Sequence, residues 1–262
     1  MFIRPKKSLG QNFLIDRNVL DQIVDTVEIK DKEVLEIGPG SGNLTAFILK
    51  KKPKKFYAIE KDDVLALLLK DKFTDEITII NDDVLKISAD KISSEKLTVF
   101  GNLPYNISTE ILSKWIINID KIFWFENLVL MFQKEVADRI IAESNTSKYG
   151  RLSILSNWKL NIKKILDIKP QSFSPRPKVD STLLIFTHRE NFFELKDAKN
   201  LEMITRVFFS QRRKMLKKPF NKIFNNAKEV SDKFKIDLNL RPQNLQPEMY
   251  FNLVREYERL RG

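Results

Sequence analysis

The 262-residue chain contains no cysteine and a single histidine, His188. The absence of thiols excludes disulfides, zinc–thiolate sites, iron–sulfur clusters and cysteine nucleophiles. With one histidine, a His-x-x-x-His metal motif is excluded, and a Ser-His-Asp triad would have to use that residue. We expect His188 to lie at a strand end or on the surface, and we predict no metal site.

Long apolar runs are also missing. No run approaches the roughly 18 residues that span a membrane, and the residues 1–7 lack the apolar core of a secretory signal. These features predict a cytoplasmic protein with no membrane partner. The 46 Lys and Arg residues exceed the 35 Asp and Glu residues, giving a net charge of +11. Such an excess favours a polyanionic partner, or it reflects a lysine-rich genome composition.

Glycine is scarce. The chain has seven glycines, whereas the usual frequency of about 7% would give roughly 18 in a chain of this length. Three of them, Gly38, Gly40 and Gly42, lie in the motif Glu36-Ile-Gly-Pro-Gly-Ser-Gly-Asn-Leu-Thr45, after a predicted strand and before a predicted helix. Glycines there let the backbone approach a ligand and leave helix N–H groups pointing at it. Asn43 stands where the G-x-G-x-x-G dinucleotide motif needs its third glycine.

Carboxylates follow the next two predicted strands. Glu60 ends the first of them, where a carboxylate can accept hydrogen bonds from two ribose hydroxyls. Asp82 and Asp83 follow the second and could reach an adenine amine. The glycine loop and these acids together predict a nucleoside-binding crevice.

A second motif runs from Phe100 to Ser108 and reads Phe-Gly-Asn-Leu-Pro-Tyr-Asn-Ile-Ser. Asn102 offers a side-chain acceptor, and Leu103 precedes a proline, which favours an extended backbone that can present its carbonyl. Tyr105 adds an aromatic face. Two acceptors beside a ring suit an exocyclic amine on a planar base.

Strands alternate with helices up to about residue 130, which predicts an α/β fold with a doubly wound parallel sheet. Ser181–Thr187 is predicted as the last strand, and the pattern after His188 is helical. Leu201, Ile204, Phe208 and Met215 are spaced like one helix face. We place a domain boundary near 188–196. Residues 189–262 hold 17 basic and 10 acidic residues, so the smaller part carries +7 of the net charge.

The two motifs resemble those of S-adenosylmethionine-dependent adenine amino-methyltransferases. More narrowly, the chain is similar to the small-subunit rRNA adenine N6,N6-dimethyltransferases (the KsgA/RsmA family). Further matching segments are Leu9-Gly-Gln-Asn-Phe-Leu14, Phe132-Gln-Lys-Glu-Val136, Tyr149-Gly-Arg-Leu-Ser153, Ser172-Phe-Ser-Pro-Arg-Pro-Lys-Val-Asp-Ser181 and Gln211-Arg-Arg-Lys214. Two departures are Leu9, where relatives often carry an aromatic residue, and Arg176, where they often carry proline.

The resemblance implies a Rossmann-like methyltransferase sheet with a small all-helical C-terminal domain. It assigns residues 1–190 to an S-adenosylmethionine-binding catalytic domain and residues 191–262 to a basic RNA-binding domain. The implied reaction dimethylates N6 of two adjacent adenines near the 3′ end of small-subunit (16S) rRNA, with a role in subunit biogenesis. The implied partner is a pre-assembled small ribosomal subunit, and the implied oligomeric state is a monomer.

The resemblance also implies roles for individual residues. The cofactor-binding residues would be Asn12, Leu14, Gly38, Gly40, Glu60, Lys61, Asp83, Val84 and Asn102. The catalytic residues would be Asn102, Leu103, Pro104, Tyr105 and Phe173, with Tyr105 and Phe173 lining the slot for a flipped base.

A basic cluster, Arg212, Arg213, Lys214, Lys217 and Lys218, places five cations in seven positions. It either complements a helix C-terminus or, as we favour, contacts RNA phosphates. Near the N-terminus, Arg4, Lys6 and Lys7 form either a solvated tail or an arm that meets phosphate.

Three other functions remain open on the sequence. A large-subunit rRNA adenine methyltransferase of the macrolide-resistance type shares the catalytic motifs, although such relatives more often carry isoleucine where Leu103 stands. A noncatalytic RNA-binding assembly factor could use the same fold, but Asn102, Tyr105 and Phe173 are intact. A nucleotide-dependent oxidoreductase is disfavoured by Asn43.

Overall fold

The computed structural model describes residues 10–119 and 122–262, apart from the side chain of Asp90. The interpretations of Arg4, Lys6, Lys7 and Leu9 lie outside the described residues. The chain forms two compact units. The first contains residues up to 137 together with 162–188, and the second contains 138–161 together with 189–262.

A seven-stranded sheet forms the first unit's framework. Its strands in chain order are β2 (Glu33–Ile37), β3 (Lys55–Ile59), β4 (Thr78–Ile80), β5 (Leu97–Asn102), β6 (Phe125–Gln133), β7 (Leu160–Ile168) and β9 (Ser181–His188). They lie in the order β4-β3-β2-β5-β6-β9-β7. The strands from β4 to β6 are parallel, whereas β9 pairs antiparallel with β6. The predicted α/β methyltransferase fold is confirmed, but the sheet is mixed, because β9 joins it from a loop and not from a helical crossover.

The sheet-containing unit includes the helices α1 (Arg17–Val24), α2 (Asn43–Lys50), α3 (Asp63–Phe73), α4 (Ser108–Asn118) and the start of α5 (Lys134–Ile140). Of these, α2, α3 and α4 connect parallel strands. The Asp16 carboxylate accepts from the backbone N–H groups of Asn18 and Val19, and so caps α1. The predicted alternation of strands and helices up to about residue 130 is confirmed.

A separate two-residue strand pair, which the sequence did not predict, joins distant parts of the same unit. Strand β1 (Phe13–Leu14) runs antiparallel to β8 (Phe173–Ser174), with Leu14 opposite Phe173. The backbone N–H of Ile15 extends this pairing by donating to the Ser172 carbonyl at 2.8 Å. The pair therefore attaches the chain before α1 to the loop before β9.

The second unit is built mainly from helices. They are α6 (Arg151–Lys159), α7 (Ala198–Phe209), α8 (Lys217–Ile223), α9 (Ala227–Lys233) and α10 (Pro247–Leu260). Because α6 packs on α7 and α10, the segment 138–161 groups with the C-terminal residues. The predicted single boundary at 190 would instead place that segment in the first domain.

The predicted helix face from Leu201 to Met215 is only partly right. Leu201, Ile204 and Phe208 are buried on α7, as expected. The helix ends at Phe209, however, and Met215 lies in the following turn with its side chain exposed. The helical spacing of apolar residues continues by chance into this turn. Backbone hydrogen bonds to the region near Leu240 hold the turn in place.

The prediction for His188 is confirmed: it is the last residue of β9. One ring nitrogen lies 3.0 Å from the Phe125 carbonyl, and the ring stacks on Phe123 at a centroid distance of 4.7 Å. Within residues 10–119 and 122–262, no group of three or more acidic or histidine side chains is arranged to hold a metal ion. No helix in the same ranges has the length and apolarity needed to span a bilayer.

Candidate active site

The turn between β2 and α2 has an unusual backbone. Gly38, Gly40 and Gly42 have φ values of +66°, +60° and +76°, a region that side chains strongly disfavour. A Cβ on Gly40 would lie 2.7 Å from the Phe13 ring, whereas a Cβ on Gly38 would meet nothing within 4 Å. Gly40 is therefore needed for packing, and Gly38 presents open backbone to the space beside it.

That space is a cavity of about 210 Å³ within the first unit. It lies at the carboxyl ends of the parallel strands, where open α/β sheets bind their ligands. Every predicted cofactor-binding residue lines this cavity: Asn12, Leu14, Gly38, Gly40, Glu60, Lys61, Asp83, Val84 and Asn102. Three further predicted catalytic residues also line it: Leu103, Pro104 and Tyr105.

Glu60 holds the glycine turn in place. One carboxylate oxygen accepts from the Gly40 backbone N–H at 3.0 Å, and the other from the Asp62 N–H at 2.8 Å. Burial raises the pKa of the Glu60 carboxyl above its usual value, while these N–H groups act against the rise. Each oxygen has a second lone pair, so Glu60 can still accept from ligand hydroxyls.

Asp83 and Lys61 form an ion pair at the next strand end. The Lys61 ammonium lies 2.7 Å from Asp83 Oδ2, and Asp83 Oδ1 accepts from the Leu85 backbone N–H at 3.0 Å. The hydrogen bond from Lys61 lowers the pKa of Asp83, so this acid is ionised at neutral pH. The pair offers a fixed acceptor on the cavity wall.

Residues 12–14, which we call the clasp, are tied down across the cavity by two side-chain amides. Asn102 Nδ2 donates to the Asn12 backbone carbonyl at 2.8 Å, and Asn43 Nδ2 donates to the Leu14 carbonyl at 2.7 Å. The Asn102 bond engages the nitrogen end of its amide, so Oδ1 remains available as an acceptor.

Tyr105 is fixed through its hydroxyl, which lies 2.7 Å from Ser181 Oγ. Burial raises the pKa of the Tyr105 phenol, so it stays neutral. Its neighbour Leu103 is buried. A Cβ on Gly101 would lie 2.9 Å from a methyl group of Leu103. Glycine at that position therefore gives this turn room to form.

The structure does not bring Phe173 into the cavity. Its side chain is 1% exposed, belongs to the apolar core and lies opposite Leu14 in the β1–β8 pair. Contact between this ring and a base would require movement of that pair.

Sequence reasoning gave no role to Glu36 and treated Asn43 only as a mismatch. The Glu36 carboxyl is buried, lines the cavity and accepts from Thr45 Oγ1 at 2.6 Å. Burial raises its pKa to about 8. The available signal for Glu36 was a charged residue inside a buried strand. No sequence signal was available for the contact from Asn43 to the clasp.

The basic cluster lies in the second unit. Arg212 donates to Gln243 Oε1 at 3.2 Å and to the Thr146 carbonyl at 3.1 Å, so it also joins loops of its own unit. Lys217 and Lys218 begin α8, where the helix dipole disfavours positive charge. Stabilisation of a helix C-terminus therefore does not explain these two lysines.

Comparison with known proteins agrees with this geometry. The model of the family described as ribosomal RNA adenine dimethylase matches residues 3–259. The chain is 75% identical over 262 residues, all of both chains, to "Ribosomal RNA small subunit methyltransferase A" of Pelagibacter ubique (strain HTCC1062).

Two solved structures share the fold. A dimethyladenosine transferase from Plasmodium falciparum is 26% identical with a TM-score of 0.77, covering 94% of this chain and 98% of its own. The 23S rRNA methyltransferase ErmE is 23% identical with a TM-score of 0.69, covering 96% and 100%. The family match over nearly the whole chain and the identity to a curated relative lead to one conclusion: the chain belongs to the ribosomal RNA adenine dimethylase family of S-adenosylmethionine-dependent enzymes.

Proposed function

We propose that this protein dimethylates N6 of two adjacent adenines near the 3′ end of small-subunit rRNA, using S-adenosylmethionine, during subunit biogenesis. The observation that carries the proposal is a single cavity that joins the nucleoside-type acceptors Glu60 and Asp83 to the Asn102–Tyr105 edge. The name of the 75% identical relative supports the small subunit over the large subunit as substrate.

The residues present fit the cofactor. Glu60 would accept from the ribose hydroxyls and Asp83 from the adenine amine, with Lys61 holding Asp83 and Val84 packing beside the base. Gly38 and Gly40 would face the methionine part, since the space beside Gly38 is open. Asn12 and Leu14 of the clasp would cover the bound molecule, and Asn102 would lie beside it. When bound, the cofactor supplies an electrophilic methyl group.

At the target amine, Asn102 Oδ1 and the Leu103 carbonyl would accept its two N–H groups. An adenine amine is a poor nucleophile because its lone pair is delocalised into the ring, and two acceptors favour a pyramidal nitrogen. Pro104 keeps Leu103 extended, and Tyr105 stacks on the base. Fixing the two reactants in line lowers the activation free energy, by roughly 7–11 kcal/mol in favourable cases. Phe173 would join the base slot only after movement of the β1–β8 pair.

The second unit would dock the substrate. Arg213, Lys214, Lys217 and Lys218 are exposed and Arg212 half-buried, and among the described residues none of the five forms an ion pair. Phosphate contacts by these side chains would release counterions, so affinity should fall steeply with salt. Replacing Arg212, Arg213 and Lys214 together by alanine should flatten the log–log salt slope and leave cofactor affinity unchanged.

We further propose that the protein acts as a monomer, in the cytoplasm, on a pre-assembled small subunit. The decisive experiment incubates it with labelled S-adenosylmethionine and, in separate reactions, small subunits, large subunits and naked rRNA, and then maps the label. Labelling of two adjacent adenines in small subunits supports the proposal. Labelling confined to large subunits would assign the macrolide-resistance type of activity, and absence of labelling with intact binding would indicate an assembly factor.

A further inference from the structure

Two exposed apolar side chains lie at one junction of the second unit. The Leu216 backbone N–H donates to the Leu240 carbonyl at 2.8 Å, and that of Lys217 donates to the Leu238 carbonyl at 3.2 Å. These bonds bring the turn after α7 against the loop after α9. Met215, next to one bonded residue, is 56% exposed, and Leu240 is 39% exposed. We call this pair the apolar spot.

Cations surround the apolar spot. Arg213, Lys214, Lys217 and Lys218 flank Met215 in sequence, and Arg241 follows Leu240; all five are exposed. None of them forms an ion pair with a carboxylate in the described part of the chain. Arg212, in contrast, is held by Gln243 and Thr146, so it fixes the position of the turn that carries Met215.

This combination favours one kind of partner. Protein interfaces are usually depleted of lysine at their centre, whereas five unpaired cations fit a polyanion. Scattered single apolar residues on a surface need no explanation, but an apolar pair inside a cationic patch can contact the parts of a nucleic acid that are not charged. In RNA helices those parts, the riboses and base edges, are displayed in a wide and shallow minor groove, and leucine and methionine are among the side chains that proteins insert at such surfaces of DNA.

We propose that Met215 and Leu240 contact riboses and base edges in an rRNA minor groove, while the surrounding cations hold the phosphates on either side. The proposal rests on the proposed RNA docking by this unit. It assigns the cations and the apolar spot different dependences on salt. Phosphate contacts release counterions and set the salt slope, whereas an apolar contact adds affinity that is nearly independent of salt.

The test measures binding of full-length protein to small ribosomal subunits across a salt series. Replacing Met215 and Leu240 by alanine, singly and together, should lower affinity by about tenfold for each side chain at every salt concentration. The log–log slope should stay that of the unaltered protein. The matched control is Leu260→Ala, since Leu260 is 40% exposed on α10 of the same unit and should change neither quantity. Thermal unfolding confirms that each variant is folded.

The variant Lys214→Ala distinguishes failure of this inference from failure of the proposed RNA docking by the second unit. If Lys214→Ala flattens the slope by about one unit and the alanine variants of the apolar spot bind normally, the inference is overturned and RNA docking stands. If neither kind of variant changes binding, RNA docking itself is wrong. A changed salt slope in the Met215→Ala variant would also overturn the inference. So would a loss of binding by the alanine variants that is seen only with phosphatidylserine vesicles and not with small subunits, because it would assign the apolar spot to a membrane surface.

Discussion

The side-chain amide of Asn102 donates to the backbone carbonyl of Asn12, 90 residues earlier, at 2.8 Å. The bond fixes which end of the Asn102 amide faces the cavity and at the same time holds the clasp. One side chain therefore links the clasp to the oxygen that we propose as the acceptor for the target amine.

Replacing Asn102 by alanine should lower turnover by about 100- to 1,000-fold, the loss typical when one positioned polar group that stabilises a transition state is removed. Affinity for S-adenosylmethionine should change much less, because Asn43 still holds the clasp at Leu14. Single-turnover kinetics with small subunits and calorimetric titration of the cofactor measure the two effects. A variant that methylates at the normal rate would refute the catalytic role.

Replacing Glu60 by alanine should weaken S-adenosylmethionine binding by about 10- to 150-fold, the effect of losing a charge-assisted hydrogen bond. The N–H groups of Gly40 and Asp62 also lose their acceptor, so the variant should unfold at a lower temperature. Glu60→Gln is the matched control, because it keeps one acceptor oxygen and the side-chain shape. Calorimetry showing unchanged affinity for Glu60→Ala would remove the ribose-binding role.

Glu36 should make stability fall as pH rises. Burial raises its pKa from 4.5 to about 8, so between these values the folded protein holds a proton that the unfolded chain has released. Stability then decreases by up to about 1.4 kcal/mol per pH unit across this window and levels off above pH 8. Glu36→Gln, which can still accept from Thr45, should flatten the profile. Urea unfolding from pH 5 to 9 tests this, and identical slopes would contradict it.

Alanine at Gly38 and at Gly42 should have different effects, although both positions have positive φ and share the same backbone strain. At Gly42 the new Cβ would lie 2.6 Å from the Phe73 ring and 2.9 Å from Leu69, so this variant should lose more stability. At Gly38 the Cβ would enter open space, so this variant should mainly lose cofactor affinity. Thermal melts and calorimetry distinguish the two, and equal losses in both assays would contradict the assignment.

The residues that line the cavity were largely predictable, because they lie at strand ends in sequence motifs. Gly38 follows the buried strand β2, and Asn102 is the last residue of the buried strand β5, so in each case the motif indicates both the strand and the end at which it stops. Phe173 could not be placed this way, because its environment comes from pairing with Leu14, far away in sequence. Pairing of two-residue strands leaves no periodicity that a sequence could show.

The fold was less predictable after residue 140. Strand β7 lies last in the strand order, and its exposed Lys163 and Lys164 obscure the apolar pattern that buried strands such as β2 display. Met215 shows the opposite error, since helical spacing continued past the true end of α7. In both cases contacts between distant segments, and not local preference, determined the structure.

The two-residue length of the β1–β8 pair bears on how the enzyme would complete its work. Adding two methyl groups to one amine consumes two donor molecules, so a spent donor must leave before the second transfer. This strand pair is short and is supplemented by hydrogen bonds from the side-chain amides of Asn43 and Asn102, so opening it would leave the pairing of the central sheet intact but would uncover the buried side chains of Leu14 and Phe173. Donor exchange could then proceed by local opening of the clasp, and whether the RNA stays bound between the two transfers would depend on the docking contacts of the second unit.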